Sequence, residues 1–269
     1  MKLSFKLFFL ALLTSSLVQI SHAAPHAAGA PTNEVEKKSS TKRIVEANPR
    51  SLEANEQGIV ALKTGNTRTA EDRFRRALEV DSGNLTAAFN LSGTLVVNGK
   101  KLEAIALLSD YSKKYPRDAG FETRLGDVLF SSEKIPESIP HYERALKIQP
   151  SYPKLYEKLA LAYALTQKLE QSEQMYKLAV KAAPKDSELL TNLANIQLGN
   201  GKIDASIITA KKAAQLKPSS RLYLTLGSAL ENKGSLDDAL AAFNKAKELG
   251  ESGSDVVNRI AALEVRLKK

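Results

Sequence analysis

From Ser51 onward apolar and small residues fall on columns that recur at a step of 34 positions. The late column reads Ala77, Tyr111, Ala145, Ala179, Ala213 and Ala246, and seven residues earlier stand Ala70, Ala104, Ser138, Ser172, Ser206 and Ala239. Between them lies a bulky column, Phe74, Leu108, Tyr142, Tyr176, Ala210 and Phe243, and early in each unit a second small one, Gly58, Ser92, Gly126, Ala160, Ala194 and Gly227. Proline closes four units at Pro116, Pro150, Pro184 and Pro218, and the final step shortens to 33. The boundaries are 51–84, 85–118, 119–152, 153–186, 187–219 and 220–253.

Each unit predicts two helices. Leu155, Tyr156, Leu159 and Tyr163 are spaced for one helical face, and Ala239, Ala242, Phe243 and Ala246 for another. Gly65, Gly99, Gly201 and Gly234 mark the turn between them, with Glu133 and Gln167 in the other two units. Where two helices cross, a small residue lets the backbones approach and the large side chain opposite fills the gap. A large residue at Gly126 or Ala104 then overpacks the crossing, at a cost of about 1–3 kcal/mol. Pro136 is tolerated if it opens a helix, whereas Pro140 removes one backbone bond from the helix that contains it. Residues 254–269 add a stripe of Val256, Val257, Ile260, Leu263 and Leu267, with Arg259, Glu264, Arg266 and Lys268 mostly outside it. It reads as a capping helix that covers the last unit, or alternatively as a helix for a partner. The fold class is all-α.

The N-terminal 50 residues lack this pattern. Lys2 and Lys6, the apolar run Leu7–Leu13 and the small residues Ser21 and Ala23 follow the order of a secretory signal peptide cut before Ala24. An uncleaved anchor is disfavoured, because Ser15, Ser16 and Gln19 interrupt the apolar stretch short of a span of about 20 residues. The expected mature protein is exported, periplasmic or secreted, with no membrane span. Residues 24–50 bury too little to be held in one conformation and read as a flexible linker, with a short helix near 38–48 that ends at Pro49.

The columns resemble the tetratricopeptide repeat, a 34-residue helix–turn–helix with alanine, phenylalanine and proline marks, and the resemblance spans Ser51 to Gly253. No unit carries the signature tryptophan, and Ser82 replaces the first terminal proline. Family membership implies a right-handed α-solenoid of six units, each touching only its neighbours. It also implies a concave groove lined by the first helix of each unit. Carried over position by position, the groove residues are Asn55, Phe89, Asn90, Asp127, Phe130, Lys154, Lys158, Asn192, Asn195 and Arg221. Asn90 and Asn192 resemble the family's groove asparagine, whose amide offers a peptide backbone both a donor and an acceptor. Phe89 and Phe130 are either apolar anchors or core, and Lys154 and Lys158, four apart, either hold a carboxylate or are solvated charge. The carboxylate clamp of chaperone-binding relatives is not met, since Phe89, Gly93 and Arg124 interrupt one window and Glu157, Leu161 and Thr225 the other.

Composition narrows the functions further. The chain has no cysteine and three histidines, His22, His26 and His141, so disulfides, thiolate chemistry and Cys-ligated zinc are excluded. No phosphate loop, metal helix or nucleophile elbow is present. No cofactor and no metal are expected, and catalysis is not. The net charge is +9, or +7 once Lys2 and Lys6 are removed with the leader. Both signs are scattered and aromatics are few, which argues against nucleic acid. The expected function is a protein–protein scaffold whose groove takes an extended peptide or helix of an envelope protein, serving assembly of a secretion, pilus or envelope-biogenesis complex. The alternative is a structural or self-associating module that makes its contacts through the convex face.

Overall fold

A computed structural model describes residues 48–151 and 154–268. The segment expected to be a signal peptide and nearly all of the expected linker therefore lie outside the described residues. These fold as thirteen helices with no strand among them: α1 (Pro49–Lys63), α2 (Thr67–Val80), α3 (Leu85–Val97), α4 (Lys101–Lys114), α5 (Ala119–Ser131), α6 (Ile135–Ile148), α7 (Leu155–Leu165), α8 (Leu169–Ala182), α9 (Ser187–Gly199), α10 (Ile203–Leu216), α11 (Ser220–Lys233), α12 (Leu236–Glu248) and α13 (Ser254–Leu267). They divide into two compact units, one ending at Pro150 and the other beginning at Ser151. None of these helices is long and apolar enough to cross a membrane.

The first unit is three hairpins, α1–α2, α3–α4 and α5–α6, each packed on the next. The short helix expected near 38–48 falls almost wholly outside the described residues, and Pro49 opens α1, with the Asn48 side chain accepting from the Arg50 amide at 3.0 Å. Proline lacks an N–H, and the first helical position needs none, so the residue that ends one helix suits the beginning of another equally well. Residues 44–47 lie outside the described residues. Asn66, Asn84 and Asp118 cap α2, α3 and α5 in the same way. Asn84 also reaches back, its amide donating to Ser51 Oγ at 2.9 Å, while Ser51 donates to the Ala77 carbonyl at 2.8 Å, so consecutive hairpins are stitched by buried polar bonds. Tyr111, the exception in the alanine column, is buried and donates its hydroxyl to the Ser82 carbonyl at 2.8 Å. Pro140 lies inside α6, which continues through it, and Pro136 sits in the first turn.

The second unit comprises α7–α8, α9–α10 and α11–α12, with α13 on the last hairpin. Its core joins Leu190, Ala194, Ile207, Leu222, Phe243, Val256, Ile260 and Leu263. The C-terminal stripe is narrower than the sequence suggested. Val257 is exposed, and Arg259 is drawn in at the edge, 4.6 Å from the centre of the Phe243 ring and bonded to Glu231 at 2.6 Å and Ser228 at 2.9 Å. A long side chain at the edge of an apolar stripe packs its stem while its head finds polar partners, so α13 is held by both kinds of contact.

Every turn within a hairpin passes through the left-handed region at one recurrent position, with φ of 74° to 85° at Gly65, Gly99, Gly201 and Gly234. Glu133 and Gln167 adopt it too, at 62° and 61°, although a Cβ there is strained. Replacing Gln167 by glycine is expected to stabilise the protein by about 1 kcal/mol, read as a higher urea midpoint at unchanged slope.

Candidate functional site

The first helices of neighbouring hairpins lie side by side in each unit, α1 by α3 and α9 by α11. Side chains roughly one repeat apart meet between these helices. In the first unit Asn90 Nδ2 donates to Asn55 Oδ1 at 3.1 Å, leaving the Asn90 carbonyl oxygen for other acceptor roles. Asn55 is buried and Asn90 half-buried. Phe89 is half-buried, with its edge against Phe121 at 5.8 Å between ring centres and the Arg124 guanidinium 4.3 Å above its face. It is therefore both core and surface, and its charged neighbour was not foreseen as its partner. Asp127 accepts the Tyr142 hydroxyl at 2.9 Å, and burial together with that carboxylate pushes the Tyr142 hydroxyl well above its ordinary range. Phe130 is half-buried at the far end of α5.

In the second unit Asn192 accepts from the Arg221 guanidinium, which also stands 4.0 Å from Glu188. Asn195, one turn beyond Asn192, is buried, and its Nδ2 has no hydrogen-bond partner among the described residues. Lys158 is half-buried on α7. Lys154 is not on the helix with it. It is the exposed residue before α7, with φ of 55° and no side-chain cap. Asp118 and Asp186 cap the equivalent helices α5 and α9, whereas the sequence has Tyr152 at that place, which cannot cap, and α7 is the shortest of the thirteen at 11 residues. Lys154 caps the start of α7 from outside it, its carbonyl accepting the Lys158 amide at 3.1 Å, so the two lysines stand one turn apart at the opening of the helix. Burial raises the Glu157 carboxyl, as do Glu188 and Asp186, against the opposing pull of Lys154 and Lys158.

Three buried carboxylates escaped the sequence reading. Glu71 on α2 binds Arg75 at 2.8 Å, Lys100 at 2.8 Å and Asn98 at 2.9 Å. Three repeats later Glu173 on α8 repeats the arrangement with Lys177 at 2.7 Å, Lys202 at 2.6 Å and Asn200 at 2.8 Å. Each ties the second helix of one hairpin to the turn of the next. Burial alone would raise these carboxyls, but the hydrogen bonds outweigh it and hold each down at about 2. The signal was present as Asn-Gly-Lys at 98–100 and again at 200–202, each with a glutamate 27 residues before its asparagine. Glu122 on α5 is the third. It accepts from Ser112 Oγ at 2.6 Å and Arg144 at 3.1 Å and lies 2.8 Å from His141 Nδ1, and against its burial these contacts lower it to about 2 as well. His141 is thereby placed against a carboxylate in a packed interface. Among the described residues no group of three or more His, Asp or Glu could hold a metal.

Comparison with known proteins agrees with this architecture. A tetratricopeptide repeat model matches residues 55–119 and 191–254, a second matches 153–186, and a TPR repeat model matches 126–167. No curated protein matches the sequence. Among solved structures the chain is similar to YrrB, described as a TPR protein with an unusual peptide-binding site, at 16% identity and a TM-score of 0.63 over 69% of this chain and 96% of that one. It is similar to pilF of Pseudomonas aeruginosa at 16% identity and 0.60, over 82% and 98%. MamA of Desulfovibrio magneticus RS-1 aligns at 20% identity and 0.57, over 60% and 92%. At these identities the likeness shows the fold. With family matches running from residue 55 to 254 across small and large columns that pack as helical hairpins, the chain belongs to the tetratricopeptide repeat family.

Proposed function

We propose that the protein is a non-catalytic scaffold that holds an extended peptide or a helix of a protein partner against the first helices of the hairpins in each unit. One observation carries the reading: polar and aromatic side chains of neighbouring first helices meet there, as an amide pair at Asn55–Asn90, an aromatic–guanidinium contact at Phe89–Arg124 and an amide–guanidinium bond at Asn192–Arg221. Ordered amides of this kind suit a peptide backbone, because each offers donor and acceptor together and little side-chain entropy remains to be lost on binding. The description of YrrB as peptide-binding supports the same use of the fold. The leader-like residues 1–23 support export, and an exported scaffold of this kind serves assembly of a secretion, pilus or envelope-biogenesis complex.

Alanine at Asn90, Asn192 and Lys154 together is expected to abolish capture of the partner from an envelope extract while leaving the helical circular dichroism spectrum unchanged. Undiminished capture by the triple variant transfers the binding role to the opposite, convex face.

A further inference from the structure

The second helices of the second unit carry a surface of a different character. On α8 the residues Lys177, Leu178 and Lys181 are exposed, on α10 Ile208, Lys211 and Lys212, and on α12 Lys245. The 34-residue step sets Lys211 beside Lys177 and Lys212 beside Leu178, and the final 33-residue step sets Lys245 beside Lys212. These positions lie on equivalent turns of successive second helices, so the side chains make up a patch along that side of the second unit. Within it Leu178 is 39% exposed and Ile208 68%. Lys177 is held by Glu173 and Lys245 by Glu248, whereas Lys181, Lys211 and Lys212 have no ion-pair partner among the described residues. Apart from Glu173 and Glu248, which hold Lys177 and Lys245, the acids of these helices, Glu170, Asp204, Asp237 and Asp238, stand in their first turns, at the other end. The first unit does not share the feature: the equivalent positions are Arg75 and Arg76, both ion-paired, then Ser109 and Asp110, then Glu143 and Arg144, which break both the charge and the apolar centre.

We propose that this patch docks on the anionic surface of a phospholipid bilayer. Two properties select that occupant. The patch pairs exposed apolar side chains with uncompensated positive charge, so it gains from the headgroup charge and from shallow burial of Leu178 and Ile208. All of its charge is lysine, with no arginine in α8, α10 or α12. Lysine is a mobile point charge that follows a fluid array of headgroups, whereas a fixed protein carboxylate is better met by the planar fork of arginine. The contact is peripheral, and it leaves the face of the first helices free.

The test is co-sedimentation of the full chain with vesicles of equal parts phosphatidylglycerol and phosphatidylcholine, against vesicles of phosphatidylcholine alone. The leader is identical in every variant, so only differences between variants are read. Lys181→Glu, Lys211→Glu and Lys212→Glu together are expected to weaken binding to the anionic vesicles at least about tenfold. Ile208→Ser weakens it at unchanged charge, and raising salt from about 0.05 to 0.5 M releases the wild type. Lys63→Glu, Lys113→Glu and Lys147→Glu, which change net charge equally on the first unit, retain binding within about threefold. Should the Glu triple fail to give the helical spectrum, the Gln triple at the same positions replaces it. Equal losses in the two charge-matched triples, or a wild type that ignores anionic vesicles and binds only an acidic protein, overturns the proposal.

Discussion

Gly126→Leu is expected to lower the unfolding free energy by about 3 kcal/mol, at the upper end of overpacking costs. A Cβ at Gly126 would stand 2.6 Å from Cε1 of Tyr142, nearer than real contacts allow. The ring is fully buried and its hydroxyl is fixed on Asp127, so it has no direction in which to withdraw. The same collision awaits at Gly58, 2.5 Å from the Phe74 ring, and at Gly227, 2.8 Å from Phe243. Two controls separate this cause from a general intolerance of change. Tyr142→Ala in the Gly126→Leu background should restore part of the loss, since the cavity left by one substitution receives the side chain added by the other. Gly93→Ala should be neutral or stabilising by about 1 kcal/mol, because Gly93 is inside α3 with no atom within 4 Å of an added Cβ. Urea unfolding monitored by circular dichroism reads all of these.

Acid is expected to unlock the hairpins from one another. Glu71, Glu122 and Glu173 ionise at about 2 in the folded protein against an ordinary value of 4.5. Between those values the unfolded chain binds more protons than the folded one, so stability falls as pH falls. Their contribution is complete above about pH 5, is lost progressively toward pH 2 and is gone below it. The cations around them are half exposed, Lys100 at 45% and Lys202 at 50%, so water screens part of the interaction and the three together amount to a few kcal/mol. Thermal melts between pH 6 and pH 2 should show the wild-type midpoint falling steeply. The triple variant Glu71→Gln, Glu122→Gln, Glu173→Gln should start lower and fall much less. Parallel pH profiles for the two proteins would assign the acid sensitivity to other groups.

The fold was legible because its determinants are local and repeated. A small residue and a bulky one 16 positions later, such as Gly126 and Tyr142, recur in phase, and that pairing is the helix crossing itself. The candidate site was legible only in part, because it depends on which side chains meet across neighbouring hairpins. Asn90 could be placed on the first helix of its hairpin, but that it bonds Asn55 follows from helix register, which the columns do not specify. Arg124 was seen as an interruption of a clamp, whereas it stacks on Phe89. Lys154 was counted into a helix by repeat arithmetic, although without the aspartate cap α7 opens two residues later than α5 and α9 do. Buried Glu71 and Glu173 were overlooked because a glutamate on an amphipathic helix reads as solvated until its partners from the next turn are in place.

The most direct test of the binding face is site-specific photocrosslinking in cells that express the full chain. With the crosslinking residue at Asn90 or Asn192, the account predicts a discrete adduct with one partner protein, absent when the residue stands at Lys113 or Lys147 on the second helices. Adducts at Lys113 and Lys147 with none at Asn90 or Asn192 would contradict it.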